Sequence, residues 1–336
     1  MNPIHLLLST DCHYIMPTAV TIKSVSIQNF TSDLIFHIII DSGVQEEQQQ
    51  QLINVIGGVK QHKIIFHLVK REFFSNFPQL RNGDAKSGYI TQATYYRLVV
   101  ADILPNEVHR VIYMDGDIIN TSTISPLWNI PIDSYAVGAV TDMAEAIHDF
   151  KKLGYDKKYG YFNAGVLLIN LDYWREHKLK EKFMKLIAEE PERIVLHDQD
   201  VLNITLHDQK LNLPMRYNVQ NGFLWKPEFN QFGEKYQEYE EDLKDAITHP
   251  VLIHFTDNKK PWHVEDCNPY GYEFIKYYKQ TQWKYKPLGH CNKSKIRYWG
   301  AKILRGLQLL GPAKTDEKKY YTLEELQTLK EQYSIQ

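Results

Sequence analysis

The segment Val111-Ile112-Tyr113-Met114-Asp115-Gly116-Asp117 decides the fold. It begins with apolar and β-branched residues, which predict a short buried strand. The two carboxylates that follow are separated by one glycine, so both can reach one hard cation while the backbone turns away. In an open α/β sheet, ligands bind at this end of the strands. The segment therefore predicts a cation and phosphate site at the edge of such a sheet.

Apolar runs with strand composition recur on both sides of this segment and alternate with runs of helical composition. The predicted strands are His5–Ser9, Leu34–Ile40, Lys63–Val69, Arg110–Met114, Ala136–Thr141 and Gly165–Leu171. The predicted helices are Pro17–Gln28, Gln45–Val55, Thr94–Leu104 and Tyr173–Glu189, and a further helical segment opens at His197. This alternation predicts an α/β fold, with a mostly parallel, twisted sheet that is flanked by helices on both faces.

The composition is that of a globular protein with a substantial core. The chain has 336 residues, 43% of them hydrophobic, and a formal net charge of -2. This balance argues against bulk nucleic-acid binding. Three cysteines without C-x-x-C spacing favour a reducing compartment. The apolar stretch Ile4–Leu8 is too short for a signal peptide or a membrane span, so we expect a cytoplasmic protein.

The composition changes near residue 275, because residues 274–315 contain lysine and arginine but no acidic residue. We therefore predict a core domain of residues 1–280 and a basic helical extension of residues 281–336. Within 296–310, Trp299, Ile303, Leu307 and Leu310 recur at helical spacing among basic residues. Such a helix is typical of an anchor on an anionic membrane surface, here residues 283–310, although it could also pack on the core. Further on, Thr322-Leu-Glu-Glu325 matches a capping box.

Six motifs occur in a fixed order along residues 4–275. They are Ser9-Thr10-Asp11, Tyr95-Tyr96-Arg97-Leu98, Tyr113 to Asp117, Phe162-Asn163-Ala164-Gly165 with the apolar run to Asn170, His197-Asp198-Gln199-Asp200, and His254 to Trp262. Together they resemble family 8 glycosyltransferases, including bacterial lipopolysaccharide galactosyl- and glucosyltransferases and, more distantly, glycogenin. The resemblance implies a GT-A fold and a UDP-sugar donor.

The resemblance also implies a metal site and a diphosphate contact. Asp115, Asp117 and His254 would bind Mn²⁺, with Mg²⁺ as a second possibility. Lys260, six residues after His254, would hold the diphosphate from the same loop.

The remaining residues of the motifs would bind the nucleotide and the donor sugar. By resemblance, Thr10 and Asp11 contact the uracil and Tyr14 lies nearby, while Asp198 contacts the sugar and Gln199 faces its anomeric carbon as the catalytic pair. Further donor-binding residues are Arg97, Gly116, Asp142, Asn163 and Ala164. Two positions depart from the family pattern: His13 replaces a common asparagine, and Asp257 replaces a glycine that is frequent in the His-to-Lys loop.

The resemblance thus implies a retaining enzyme that transfers galactose or glucose from UDP to a glycan, such as a lipopolysaccharide core sugar. Three alternatives remain open at this point. A phosphatase of the haloacid dehalogenase type also uses an Asp-x-Asp segment after a strand. A non-catalytic sugar-nucleotide-binding protein and a glycogenin-like self-glucosylating enzyme would use the same scaffold.

Overall fold

The computed structural model describes residues 3–70, 92–289 and 319–334. The strands are β1 (Ile4–Ser9), β2 (Leu34–Ile40), β3 (His62–Leu68), β4 (Arg110–Met114), β5 (Ile118–Asn120), β6 (Val137–Thr141), β7 (Phe162–Asn170), β8 (Lys210–Asn212), β9 (Val219–Gln220) and β10 (Leu252–His254). The helices are α1 (Ile15–Gln28), α2 (Glu46–Val55), α3 (Val100–Ile103), α4 (Ser125–Trp128), α5 (Phe150–Leu153), α6 (Leu171–Glu176), α7 (Leu179–Glu189), α8 (His197–Leu206), α9 (Tyr236–Thr248), α10 (Gly271–Tyr278) and α11 (Leu323–Ser334).

The larger sheet of the described residues has the strand order β3-β2-β1-β4-β7-β6-β8. Strand β1 pairs in parallel with β2 and β4, and β2 pairs in parallel with β3. Strand β7 runs antiparallel to its neighbours β4 and β6, while β6 and β8 are parallel. The sheet is therefore mostly parallel, as the alternating sequence pattern predicted, with one reversed strand inserted in it.

A second, three-stranded sheet has the order β5-β10-β9. Strand β10 is antiparallel to β5, with His254 opposite Ile118, and parallel to β9, with His254 opposite Gln220. The sequence prediction had no counterpart of this sheet, because strands of two or three residues give too little periodicity to recognise.

Apolar side chains alternate between the two faces of the larger sheet and form two buried layers. Leu6 and Leu8 of β1 pack on one face with residues of α1 and α2. Leu7 and Tyr113 lie on the other face with residues of α7 and α8. The predicted helices on both faces are thus confirmed, and each central strand is buried on both sides.

Two predicted elements differ from the structure by more than a shift of one or two residues at an end. The predicted helix Thr94–Leu104 is mostly a 3₁₀ helix, Gln92–Val99, followed by the short α3. It does stop before Pro105, since Leu104 is already extended. Strand β7 begins at Phe162, three residues before the predicted start at Gly165, because Phe162 pairs with Thr141 of β6.

The single helix predicted over Tyr173–Glu189 is wrong. It is divided into α6 and α7, and Lys178 between them has a left-handed backbone with φ of 50°. The ring centroids of Trp174 and Phe183 lie 5.2 Å apart. Nine residues of one straight helix would separate them by about 13 Å along its axis. The turn is what lets both aromatic side chains enter the same core.

Residues 319–334, which include α11, contact the core domain. The predicted capping box is present, since Glu325 N–H donates to Thr322 Oγ1 at 3.1 Å and Thr322 N–H to Glu325 at 2.7 Å. Lys226 forms an ion pair with Glu325 at 2.7 Å. The predicted basic helix of residues 296–310 lies outside the described residues. Within ranges 3–70, 92–289 and 319–334, no helix has the length and apolar character needed to cross a membrane.

Candidate functional site

Three segments that are distant in sequence meet at the carboxyl end of β4. Strand β1 is parallel to β4, so Ser9-Thr10-Asp11 and Asp115 leave the sheet at the same edge. Strand β7 is antiparallel, so it begins where β4 ends, and Asp115 N–H donates to Gly165 O at 2.9 Å. Strand β10 pairs with β5 and places His254 beside Asp117.

The predicted metal ligands Asp115, Asp117 and His254 come together here. His254 Nε2 lies 3.4 Å from Asp117 Oδ1 and 3.7 Å from Asp115 Oδ2. One ligand atom of each residue lies within 4.8 Å of the others. The described parts of the chain contain no second cluster of three such residues, whether histidine, cysteine, aspartate or glutamate. Two carboxylate oxygens and one imidazole nitrogen are a suitable donor set for a divalent cation.

Gly165 makes room for the histidine. A Cβ atom at this position would lie 2.1 Å from Cε1 of the His254 ring, which no side chain could tolerate. The glycine in the Asn163-Ala164-Gly165 motif is therefore needed for the approach of the imidazole.

Lys260 and Tyr14 both contact the carboxylate of Asp117. Lys260 Nζ donates to Asp117 Oδ2 at 2.9 Å, and the Tyr14 hydroxyl donates to the same oxygen at 3.1 Å. Burial alone would raise the pKa of Asp117, but the Lys260 ammonium and the His254 ring outweigh it and hold that pKa well below its usual range. The Lys260 ammonium thus places a buried positive charge beside Asp117 on the wall of the cavity.

The turn after β1 is built around Asp11. Its Oδ1 accepts the backbone N–H groups of His13 at 2.8 Å and Tyr14 at 3.1 Å. Nearby, a Cβ atom on Gly116 would lie 2.7 Å from Thr18 Oγ1, so only glycine allows this close packing of the turn on α1. The predicted nucleotide residues thus form a tight polar wall, in which the side chain of Asp11 also stabilises the backbone.

Arg97 connects the carboxylates of the two sides of the site. Its Nη2 lies 2.8 Å from Asp115 Oδ1, and its Nε lies 2.8 Å from Asp198 Oδ2. The second contact is an ion pair without hydrogen-bond alignment, since Asp198 Oδ2 has no hydrogen-bond partner. Burial raises the pKa of Asp198 to about 7, although Arg97 acts in the opposite direction. Asp198 is therefore a poorly satisfied buried carboxylate at the wall of the site.

Asp142, Asn163 and Gln199 form one hydrogen-bonded group. Asp142 Oδ2 accepts from Asn163 Nδ2 at 3.1 Å and from Gln199 Nε2 at 3.3 Å. Gln199 Oε1 accepts the Ala164 N–H at 2.9 Å. His148 Nε2 lies 3.4 Å from Asp142 Oδ1. Burial would raise the pKa of Asp142, but His148, the backbone N–H of Ala144 and the Asn163 amide lower it, so the carboxylate is held in its charged form.

A cavity of about 550 Å³ lies over this arrangement. All predicted site residues line it except Asp142, which lies behind Asn163 and Gln199. His197 also lines the cavity and has a left-handed backbone with φ of 53°. Asp257, which departs from the family pattern, turns its carboxylate toward its own loop and accepts the Asn258 N–H at 2.6 Å.

Sequence reasoning missed the residues that support this wall from behind. Asn218 is fully buried and contacts both His254 and Asn163. His148 contacts Asp142 and stacks on Tyr161 with ring centroids 3.7 Å apart. Neither residue stands in a recognisable motif. The hydrogen-bond partners of such buried polar residues cannot be identified until the fold is known.

The fold and the site together define a glycosyltransferase of the GT-A type. The chain belongs to glycosyl transferase family 8, whose family model matches residues 5–266. The family predicted from the six motifs is thus confirmed, and so is the predicted enzyme class.

Curated relatives match most of the chain. General stress protein A of Bacillus subtilis is 30% identical over 253 residues, which cover 72% of this chain and 86% of the relative. The lipopolysaccharide glucosyltransferase WaaO of Escherichia coli is 28% identical over 307 residues, which cover 88% of this chain and 84% of WaaO.

The fold is also found in a solved structure. The galactosyltransferase LgtC, crystallised with donor and acceptor sugar analogues, superposes with a TM-score of 0.72 at 24% identity. The match covers 84% of this chain and 99% of LgtC. This likeness confirms the predicted α/β fold class.

Proposed function

We propose that this protein is a retaining glycosyltransferase that transfers galactose or glucose from a UDP-sugar to a glycan acceptor, such as a lipopolysaccharide core sugar. The observation that supports this most is the meeting of Asp115, Asp117 and His254 beside Lys260 on the wall of one cavity. WaaO is a glucosyltransferase and LgtC a galactosyltransferase, which agrees with a hexose donor.

The metal in this proposal is Mn²⁺, with Mg²⁺ as the alternative. The donor set fits, because Mn²⁺ accepts carboxylate oxygens together with an imidazole nitrogen. Asp115, Asp117 and His254 would hold the ion. When bound, it would neutralise the negative charge that builds on the leaving diphosphate.

Lys260 and Arg97 prepare the two sides of the donor site. The Lys260 ammonium donates to Asp117 and lies on the cavity wall beside the metal ligands. It would bind the diphosphate as a second positive charge besides the metal. Arg97 bonds Asp115 and lies beside Asp198, so it fixes both carboxylates relative to the incoming sugar. In this proposal Thr10, Asp11, Tyr14 and Gly116 form the nucleotide wall.

Asn163, Ala164, Asp198 and Gln199 would hold the sugar itself, with Asp142 supporting them from behind. Gln199 Oε1 already accepts the Ala164 N–H, and a carbonyl oxygen has a second lone pair that can face developing positive charge. An amide is a poor nucleophile, so the usual retaining route through two carboxylates is unsuitable. We infer that the acceptor hydroxyl enters from the side on which UDP leaves and gives its proton to the departing phosphate.

A hydrolysis panel of UDP-galactose, UDP-glucose and GDP-mannose with Mn²⁺, Mg²⁺ or a chelator tests the proposal. We expect UDP release from one UDP-hexose, dependence on the metal, and a product that keeps the α-anomeric configuration by NMR. UDP binding without turnover on any acceptor would favour a non-catalytic binding protein. A mass increase of the purified protein with UDP-glucose would instead indicate self-glucosylation.

We further propose that the enzyme works in the cytoplasm, peripherally attached to the inner face of the cytoplasmic membrane through residues 283–310. The basis is the sequence pattern of these residues, with lysine and arginine around spaced tryptophan and leucine. Co-sedimentation of the full chain with vesicles that contain anionic phosphatidylserine tests this, because basic segments are attracted to anionic lipid. Equal sedimentation with purely zwitterionic vesicles would contradict it.

A further inference from the structure

Asn218 lies between the metal side and the sugar side of the site. It is fully buried in the segment just before β9. Its Oδ1 lies 3.0 Å from His254 Nδ1, and its Nδ2 donates to Asn163 Oδ1 at 2.9 Å. The parallel pairing of β9 with β10 puts Gln220 opposite His254, and Asn218 precedes Gln220 by two residues.

The direction of every hydrogen bond in this chain of side chains can be derived. Asn163 Oδ1 accepts the backbone N–H of Gly165 at 2.9 Å, and a backbone N–H can only donate. At the other end of the amide, Asn163 Nδ2 donates to Asp142. A charged carboxylate can only accept hydrogen bonds, so the group facing it must be the NH₂. The orientation of Asn163 is therefore fixed at both ends.

This orientation determines that of Asn218 and then the tautomer of His254. Because Asn163 presents its oxygen, Asn218 must present its NH₂ group to it. The oxygen of Asn218 then faces His254 Nδ1, which must carry the proton and donate it. In the neutral ring Nε2 is left without a proton, and Nε2 is the nitrogen that faces Asp115 and Asp117.

We propose that Asn218 is a positioning residue that holds His254 in its metal-binding tautomer and couples the metal side of the site to Asn163 on the sugar side. We call the contact of Asn218 with Asn163 its sugar arm and the contact with His254 its metal arm. The sugar arm rests on the proposed function, whereas the metal arm rests only on the donor set of Asp115, Asp117 and His254. A partner that fixes the orientation of a ligating imidazole typically changes metal affinity by about 10- to 100-fold.

Gln220, two residues further along, strengthens the same coupling. Its Oε1 accepts the Met143 N–H at 2.8 Å and its Nε2 donates to Thr141 O at 2.8 Å, so it holds the backbone on both sides of Asp142. The segment of Asn218 and Gln220 thus fixes the imidazole and the Asp142 turn together. A shift of one side would be transmitted to the other.

Two substitutions separate the two arms of Asn218. Asn218→Leu removes both hydrogen bonds, and we expect Mn²⁺ affinity, measured by calorimetry with Mn²⁺ alone, to fall about 10- to 100-fold. Asn218→Asp keeps an acceptor for His254 Nδ1 but places a carboxylate oxygen against Asn163 Oδ1. For this variant we expect Mn²⁺ affinity within about threefold of wild type together with slower hydrolysis of the UDP-hexose.

Asn221→Leu is the matched control, because Asn221 is equally buried but donates to Tyr320 at 2.7 Å, away from His254. Circular dichroism and Tm identify any variant that fails to fold. Wild-type Mn²⁺ affinity in folded Asn218→Leu, or an equal loss in Asn221→Leu, would overturn the inference. Mn²⁺ binding without donor hydrolysis by the wild-type protein would refute the proposed function and leave the metal arm of this inference standing.

Discussion

Two regions of the sheet bring ionisable side chains from neighbouring strands together, with opposite electrostatics. In the cavity, the carboxylates of Asp115 and Asp117 lie among Arg97, His254 and Lys260 at the open end of β4. In the other region, which we call the histidine row, His5, His37 and His67 lie on β1, β2 and β3. Their ring nitrogens are joined by two contacts of 2.9 Å.

The difference shows that a cluster of titratable groups is not by itself a functional site. The cavity keeps Asp117 charged, since Lys260 and His254 hold its pKa below the usual range. The histidine row keeps them neutral: burial, together with the nearby His67 and His5, lowers the pKa of His37 to about 3. Neutral rings can bond one another as donor and acceptor. The cavity therefore has charge available for a ligand, whereas the row satisfies its own hydrogen bonds.

The largest expected effect is that of Asp117→Asn on turnover. Loss of one carboxylate from the metal site should lower donor hydrolysis about a thousandfold, because a Lewis acid supplies several kcal/mol to the transition state. Hydrolysis of the UDP-hexose measures activity, and Tm shows whether the variant is folded. Asp133→Asn, at an exposed carboxylate whose side chain is 89% accessible, is the control. Ample turnover by Asp117→Asn with a chelator present would contradict the assigned metal role.

Lys260→Met should have the next largest effect and should change activity and stability in different ways. We expect turnover to fall about a hundredfold, since a positive charge on the leaving group is lost. Without metal, Tm should also fall, because Asp117 loses its buried partner at 2.9 Å. Added Mn²⁺ should then raise Tm more than in the wild type. An equal metal-induced rise in the two proteins would refute this interpretation of the lysine.

Arg97→Lys should reduce turnover less, by about tenfold. Lysine keeps the charge but cannot contact Asp115 and Asp198 at the same time, as the planar guanidinium does. Steady-state kinetics should show the loss mainly in kcat if the sugar is mispositioned. Arg110→Lys, at the opposite end of β4, is the matched control and should leave kinetics unchanged. Equal losses in both variants would indicate a general effect on the sheet.

His37→Leu should have the smallest effect on turnover, less than about twofold, because the histidine row is not part of the cavity lining. Its effect should appear in the pH dependence of stability. The folded state disfavours protonated His37, so stability is complete above pH 6.5 and falls as the unfolded chain takes up protons below it. For each such proton the limiting slope is about 1.4 kcal/mol per pH unit.

Chemical unfolding between pH 7.5 and 5 (a window of about two units around the ordinary histidine pKa) measures this slope. We expect a shallower slope for His37→Leu than for wild type, at the cost of lower stability at neutral pH. His109→Leu is the control, since His109 is largely exposed and contacts Asp172 at the surface. If His37→Leu left the pH dependence of stability unchanged, or greatly reduced turnover, the histidine row would not differ from the cavity in this way.

The site could be predicted to different extents in its different parts. The ligands Asp115, Asp117 and His254 were predicted from the resemblance to the family, because each stands in one of its ordered motifs. Asp142 was predicted to bind the donor, which stays a prediction. The sequence did not show that its carboxylate bonds Asn163 and Gln199, since these neighbours depend on how β6 and β7 pair. Asn218 and His148 were missed, because their partners are 36 and 6 residues away in sequence and neither spacing has a periodic signature.

The sequence by itself determined the family, the alternating strands and helices of the larger sheet, and the residue types of the metal site. The strands and helices follow from apolar periodicity, and the family and the metal-site residues follow from the resemblance of six ordered motifs. Only the tertiary structure decided that β7 is reversed, that the three-stranded sheet brings His254 to Asp117, and that Asn218 fixes the imidazole. Those features depend on contacts between residues far apart in the chain, and such contacts are set by the burial of whole faces rather than by any neighbouring residue.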